Sequence, residues 1–204
     1  MKKPEIFLIL SIISLILFIF VLFNLHNFYL MDQYFNSLSA SNENILLINT
    51  SKTISFLSDI APIAIFSVII SFLLFIKKMK KDSILFIFTI GLTAFIELLF
   101  KYIIKRARPE NALINETTFS FPSGHAIIAV VFFGLLIYIL AKNINSKKAR
   151  IITSFICIMS IFLIAISRII LNVHWFSDIL GAFFLGEFIL FLLLWINGLS
   201  NKVI

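Results

Sequence analysis

Charge is what this chain has least of. Asp, Glu, Lys and Arg make up 13% of its 204 residues, against roughly 25% in an ordinary soluble domain. The ten acidic residues form no evident carboxylate cluster of the kind that holds a divalent cation. Cysteine is almost missing: Cys157 stands alone in an apolar run, so no intrachain disulfide exists, and it reads as a small buried hydrophobe. There is no internal repeat and no low-complexity stretch beyond the apolar bias. What fills the chain is hydrophobic: 61% of residues, 25 of them Phe, with a mean hydropathy of +1.09. A soluble domain is excluded. The expectation is an all-α integral membrane protein with a single domain over residues 1–204.

The net charge of +7 does not signal nucleic acid. The cations fall in short clusters between apolar runs, which is a topology signal rather than a binding stripe. A helix needs about 20 apolar residues to cross the hydrocarbon core. Six segments qualify, near 6–23, 54–76, 84–104, 126–141, 151–171 and 179–196. The fourth reaches full length when it starts at Ser123, and the sixth can start at Ser177. The first follows Lys2 and Lys3 like a signal peptide, but it is long and lacks a small-x-small cleavage site, so a retained span is expected.

Lys2, Lys3, Lys77, Lys78, Lys80, Lys81, Lys142, Lys147, Lys148, Arg150 and Lys202 then share one side, eleven of the 17 cations. The positive-inside rule makes that side cytoplasmic and puts both termini there. Lys52, Lys101, Lys105, Arg106, Arg108 and Arg168 face the other side. Lys101 and Arg168 lie at the ends of apolar helices, where an ionisable group is either functional or snorkels to the interface. Glu97 is four residues before Lys101, the spacing of a helical ion pair. Lys105 and Arg106 read as headgroup anchors, and Glu187 has no assigned role. The outer loop 24–53 carries Phe28, Leu30, Met31, Tyr34, Phe35 and Leu38 at helical spacing. That pattern suits an interfacial helix, either a platform for lipid access or plain packing over the bundle. Asp59 and Pro62 mark the outer entrance of the second span.

Three polar constellations fall on that outer side. Lys101-x6-Arg108-Pro109 places two cations about two helical turns apart, on one face if the helix persists, and Pro109 favours a helix end. Phe121-Pro122-Ser123-Gly124-His125 is a turn running into a helix, whose free N–H groups form an anion site. Ser123 is there as an N-cap or as a phosphate donor. Ser167-Arg168-x5-His174-x3-Asp178 supplies a planar guanidinium fork, an imidazole and a carboxylate four residues from it. On a helix His174 and Asp178 share one face, and a carboxylate beside an imidazole prepares it as nucleophile or base. Together these point to phosphoryl transfer at a membrane surface.

These three motifs resemble, in order and in spacing, the three-part signature of the type 2 phosphatidic acid phosphatase family. The resemblance implies a six-helix membrane phosphatase that needs no metal or cofactor and works through a phosphohistidine. Set onto this chain, it makes His174 the nucleophile, Asp178 its orienting carboxylate and His125 the acid and then the base. Lys101, Arg108, Arg168, Ser123 and the Gly124 N–H would hold the phosphoryl oxygens. The implied partners are a membrane lipid phosphate and bilayer lipids, at the plasma membrane, with the site on the extracytoplasmic side. Undecaprenyl pyrophosphate ranks first as substrate, ahead of phosphatidylglycerol phosphate and phosphatidic acid, because a compact six-span chain resembles members that recycle the cell-wall carrier. An anion transporter and an inactive lipid-binding scaffold are the rival classes. The first expects charge near the midplane, and the second expects loss of His125, His174 or Asp178.

Overall fold

The computed structural model describes residues 3–200, and all its regular structure is helical. Lys2 and Lys202, which enter the charge count above, lie outside the described residues. Helix α1 spans Lys3–Phe23 and leads through a 3-10 turn, Leu25–Phe28, into α2, Tyr29–Ala40. There follow α3 (Ile45–Leu57), α4 (Ile60–Ile76), α5 (Lys80–Ile104), α6 (Gly124–Asn143), α7 (Lys147–Ile170) and α8 (Phe176–Ser200). Helices α1, α5, α6, α7 and α8 are each long and apolar enough to cross a bilayer.

The expected span at 54–76 is not one straight helix. Its first residues belong to α3, and α3 meets α4 at a bend of 50°. The cause is local. Pro62 has no N–H to donate to the Ser58 carbonyl, so a continuous helix would leave that group unpaired. Asp59 takes an extended conformation and its carboxylate accepts the Ile60 N–H at 2.7 Å, starting a new helix instead. The outer stretch 24–53 holds more helix than the pattern suggested: a 3-10 turn, α2 and most of α3. Asn44 caps α3 by accepting the Leu47 N–H at 3.1 Å.

The centre of the bundle is α8, which packs along α1 and α6 and touches α5, while α7 covers α6 and α3 covers α7. Helices approach closely where side chains are small. A Cβ on Gly134 would fall 2.3 Å from Leu190 Cδ2, and one on Gly186 would fall 3.0 Å from Val130. Polar glue ties α4 to α5: the Ser83 hydroxyl donates to the Ser71 carbonyl at 2.8 Å, and Ser71 donates back at 3.1 Å. Deep in the bundle Ser14 of α1 donates to Glu187 of α8 at 3.1 Å, giving that carboxylate a partner. Large apolar side chains on α1, α4, α5 and α7, such as Ile16, Phe72, Phe95 and Phe155, face outward. That is the arrangement of a bundle whose solvent is lipid.

The polar motifs collect at one end. Helix α5 stops at Lys105, which adopts a left-handed conformation with φ 51° and donates its N–H to the Lys101 carbonyl. Arg108 therefore sits on the following loop, and the expected shared helix face with Lys101 does not form. Asn172, φ 53°, closes the turn between α7 and α8, a conformation that Asn tolerates better than most residues. On α8 itself, fully buried Phe121 packs on the backbone of Gly181. A Cβ at Gly181 would fall 2.6 Å from the Phe121 ring. Gly181→Ala is therefore expected to lower stability by about 1–3 kcal/mol through overpacking. Thermal unfolding in detergent checks this, and an unchanged midpoint would contradict it.

Candidate active site

His174 lies in the buried turn before α8, and its ring faces two partners. Nδ1 is 3.3 Å from Asp178 Oδ2, and Nε2 is 3.2 Å from Arg108 Nη1. The spacing of four brings His174 and Asp178 together as expected, but through a turn rather than a helix face: α8 begins at Phe176. A guanidinium can only donate, so Nε2 must accept, and the ring proton belongs on Nδ1, donated to Asp178. Burial holds the His174 pKa well below the usual histidine range, and the charges of Arg108, Arg168 and Lys101 push it the same way. At neutral pH the ring is uncharged, with the Nε2 lone pair accepting from Arg108.

The motif cations do not snorkel. Lys101 is buried, paired with Glu97 at 3.3 Å as its spacing predicted, and donates to the Phe119 carbonyl at 2.6 Å. Arg168 is fully buried between Ser55 and Glu116 and hydrogen-bonds both. Arg108 donates to the carbonyls of Val173 at 2.8 Å and Thr118 at 2.7 Å, and lies 3.5 Å from Glu116. Glu116 thus rests against two guanidinium groups with its side chain 23% exposed. A carboxylate presents to an arginine fork the geometry that a phosphoryl group would.

The start of α6 supplies donors. Ser123 stands at the N-cap position, but its hydroxyl makes no capping bond and has no partner, though the residue is fully buried. His125 Nε2 and Arg168 Nε are likewise buried without a partner. Buried polar atoms in native structures are nearly always paired, so these three are free to meet a bound group or water. Gly124 has no room for a side chain: a Cβ would fall 2.7 Å from Glu97 Oε1. His125, His174, Gly124, Lys101, Arg108 and Glu116 line one cavity of about 560 Å³. That cavity continues as an apolar cleft between α4 and α5, past Ile63, Val68, Ile90 and Phe95.

Three groups escaped the sequence reading. Arg106 is no headgroup anchor: its Nη1 donates to Asp178 Oδ1 at 2.6 Å and its Nη2 to Asp32 Oδ2 at 2.6 Å. Its place two residues before Arg108 was visible, but nothing in the sequence tied it to a carboxylate. Asp32 and Glu116 sit on the outer stretch and the α5–α6 loop, where an acidic residue carries no signal of its own.

The family model of the PAP2 superfamily matches residues 82–202. The chain belongs to this superfamily. All three motifs fall within the matched residues. A curated relative is phosphatidylglycerophosphatase B of Bacillus subtilis, 33% identical over 142 residues. That alignment covers 67% of this chain and 66% of the relative, so it spans just under two thirds of the relative's length. The crystal structure of a transmembrane PAP2-type phosphatidylglycerolphosphate phosphatase from Bacillus subtilis superposes with a TM-score of 0.82 at 28% identity. It covers 100% of this chain and 98% of that one.

In this PAP2 member, Glu116 occupies Arg108 and Arg168, so an anion drawn to these groups would meet its charge. Glu116→Gln is expected to tighten vanadate binding about threefold to tenfold, since 1.4 kcal/mol is tenfold. Calorimetry on the protein in detergent checks this, and unchanged or weaker binding would contradict the competition.

Proposed function

We propose that the protein is an integral membrane lipid phosphatase that passes phosphorus to His174. One observation carries the reading: the His174 imidazole set between Asp178 and Arg108, at the charged end of a cavity that turns apolar. Family membership and both relatives support a hydrolase acting on a lipid phosphate.

The proposed course has two steps. The phosphoryl group lies among Lys101, Arg108, Arg168, the Ser123 hydroxyl and the Gly124 N–H, which match charge spread over its oxygens. His174 Nε2 attacks phosphorus, the P–O bond to the lipid breaks, and His125 gives the leaving oxygen its proton. His125 then takes a proton from water, whose oxygen attacks the phosphohistidine. The P–N bond breaks, releasing inorganic phosphate and restoring His174. Asp178 orients the ring throughout. No step calls on a metal: Asp178, Glu97 and Glu116 are already engaged by Arg106, Lys101 and Arg168.

Phosphatidylglycerol phosphate is the substrate we place first, because both relatives carry that activity in their names. Undecaprenyl pyrophosphate, first on sequence grounds, moves to second, and phosphatidic acid follows. The charges of the site do not favour a pyrophosphate over a monoester. Lys101, Arg106, Arg108 and Arg168 face Glu97, Asp178, Asp32 and Glu116, leaving no large excess of cation for a pyrophosphate. An anion transporter is disfavoured because Glu187 is engaged by Ser14 and the site's other charges sit at the helix ends rather than at mid-bundle. The site belongs on the extracytoplasmic side of the plasma membrane, with both termini cytoplasmic. Four of the six outer cations are drawn into the site, so the remaining asymmetry is eleven against Lys52 and Lys105.

A substrate panel tests this. Purified protein in detergent with EDTA is expected to release phosphate from phosphatidylglycerol phosphate faster than from phosphatidic acid or undecaprenyl pyrophosphate. Strict dependence on added metal, or no release from any of the three, would overturn the reading. Release fastest from undecaprenyl pyrophosphate would restore the order drawn from the sequence.

A further inference from the structure

Asp178 is buried completely, and its two oxygens have different partners. Oδ2 accepts from the Trp175 N–H at 3.0 Å and faces His174 Nδ1. Oδ1 accepts from Arg106 Nη1 at 2.6 Å. A carboxylate can rotate about its last bond, so the oxygen that meets the imidazole is decided by what holds the other one.

Arg106 is itself held. Nη2 donates to Asp32 Oδ2 at 2.6 Å, and Nη1 also donates to Ser177 Oγ at 2.7 Å. Asp32 is buried on α2 and accepts the Ser177 N–H at 2.9 Å and the Ser177 hydroxyl at 2.7 Å. The guanidinium lies over the Trp175 ring at 5.7 Å. Helix α2 is pressed onto this place by the stack of Phe35 on Phe176 at 4.8 Å and by the Ser39 hydroxyl on the Ile169 carbonyl at 2.7 Å. None of the three sequence motifs contains Arg106 or Asp32 as a motif residue.

We propose that Arg106 and Asp32 are positioning residues for the reaction: Asp32 holds the Arg106 guanidinium, and Arg106 holds the Asp178 carboxylate so that its other oxygen stays on His174 Nδ1. The inference rests on the phosphatase reading for its catalytic meaning. It makes α2, from the outer stretch, a working part of the site. The alternating order His174, Asp178, Arg106, Asp32 also sets the charge that the ring meets. Around His174 the other charged or titratable groups are Lys101 and Glu97 on α5, Arg108 and Glu116 on the loop, His125 on α6 and Arg168 on α7. None of these groups is itself removed when Arg106 or Asp32 is changed, so the two substitutions address the chain of four.

The signs are opposite. Arg106→Met removes a cation behind Asp178, so the His174–Asp178 pair takes up a proton at higher pH. Asp32→Asn removes an anion behind Arg106, so the pair takes up its proton at lower pH. Charges at such range move a titration by roughly one unit or more.

The test is the titration of the His174 ring by 15N NMR on the full chain in detergent micelles. The chain has three histidines, so a His174→Gln spectrum identifies the signal. The expected result is a midpoint raised in Arg106→Met and not raised in Asp32→Asn. Arg106→Lys keeps the charge and loses the fork, so its midpoint stays near that of the unaltered protein. Its kcat is expected to fall about 10²-fold through misplacement, with KM little changed. A midpoint unmoved in Arg106→Met, or raised in Asp32→Asn as well, would overturn the proposal. A raised KM with kcat preserved in Arg106→Lys would also overturn it, by making Arg106 a substrate contact. If the unaltered protein leaves lipid phosphates intact, the phosphatase reading fails, and the ring titration still decides the arrangement.

Discussion

Charge buried at the end of a membrane bundle has to be paired, and that requirement shapes this structure. Removing one partner of a buried pair typically costs about 3–5 kcal/mol. Four cations, Lys101, Arg106, Arg108 and Arg168, lie at one end of the bundle. Each meets a carboxylate: Glu97, Asp32 with Asp178, Glu116, and Glu116 again. The pairs join α2, the α5–α6 loop, α7 and α8, and Lys101 ties α5 to that loop through the Phe119 carbonyl, so the electrostatics that would bind a phosphoryl group also lock the helix ends together.

The same pairing leaves two groups poised. His174 is kept neutral by burial and by the cations around it, and its two nitrogens are told apart by Asp178 and Arg108. Glu116 is the most exposed carboxylate of the set, and it rests where a phosphoryl group would be recognised. Ser123 and His125, each with a buried unpaired atom, face the same end. The apolar cleft between α4 and α5 continues the cavity away from them, a shape that fits an amphiphile with its head at the charges.

Much of this was legible in the sequence because hydropathy and helical spacing are local signals. The apolar runs gave the helices, and Glu97 four before Lys101 gave their ion pair. Other features depended on backbone breaks that pattern alone reads poorly. Asp59 and Pro62 mark the entrance of the second span in the sequence, whereas the 50° break between the helices follows from the capping geometry. Lys105 turning left-handed moved Arg108 off the helix and onto the loop, where it reaches His174. Asp32, Arg106 and Glu116 were illegible for a different reason. Their partners lie from 52 to 74 positions away for the contacts Arg168–Glu116 and Arg106–Asp32, and no spacing rule spans such distances.

The central claim is that phosphorus is carried by the imidazole of residue 174. Rapid mixing with 32P-labelled phosphatidylglycerol phosphate, followed by an alkaline quench and peptide mapping, tests it most directly. The account predicts alkali-stable, acid-labile label on the peptide containing His174, and none when His174 is replaced by Ala. Label on another residue, or full turnover by the His174→Ala protein, would contradict it.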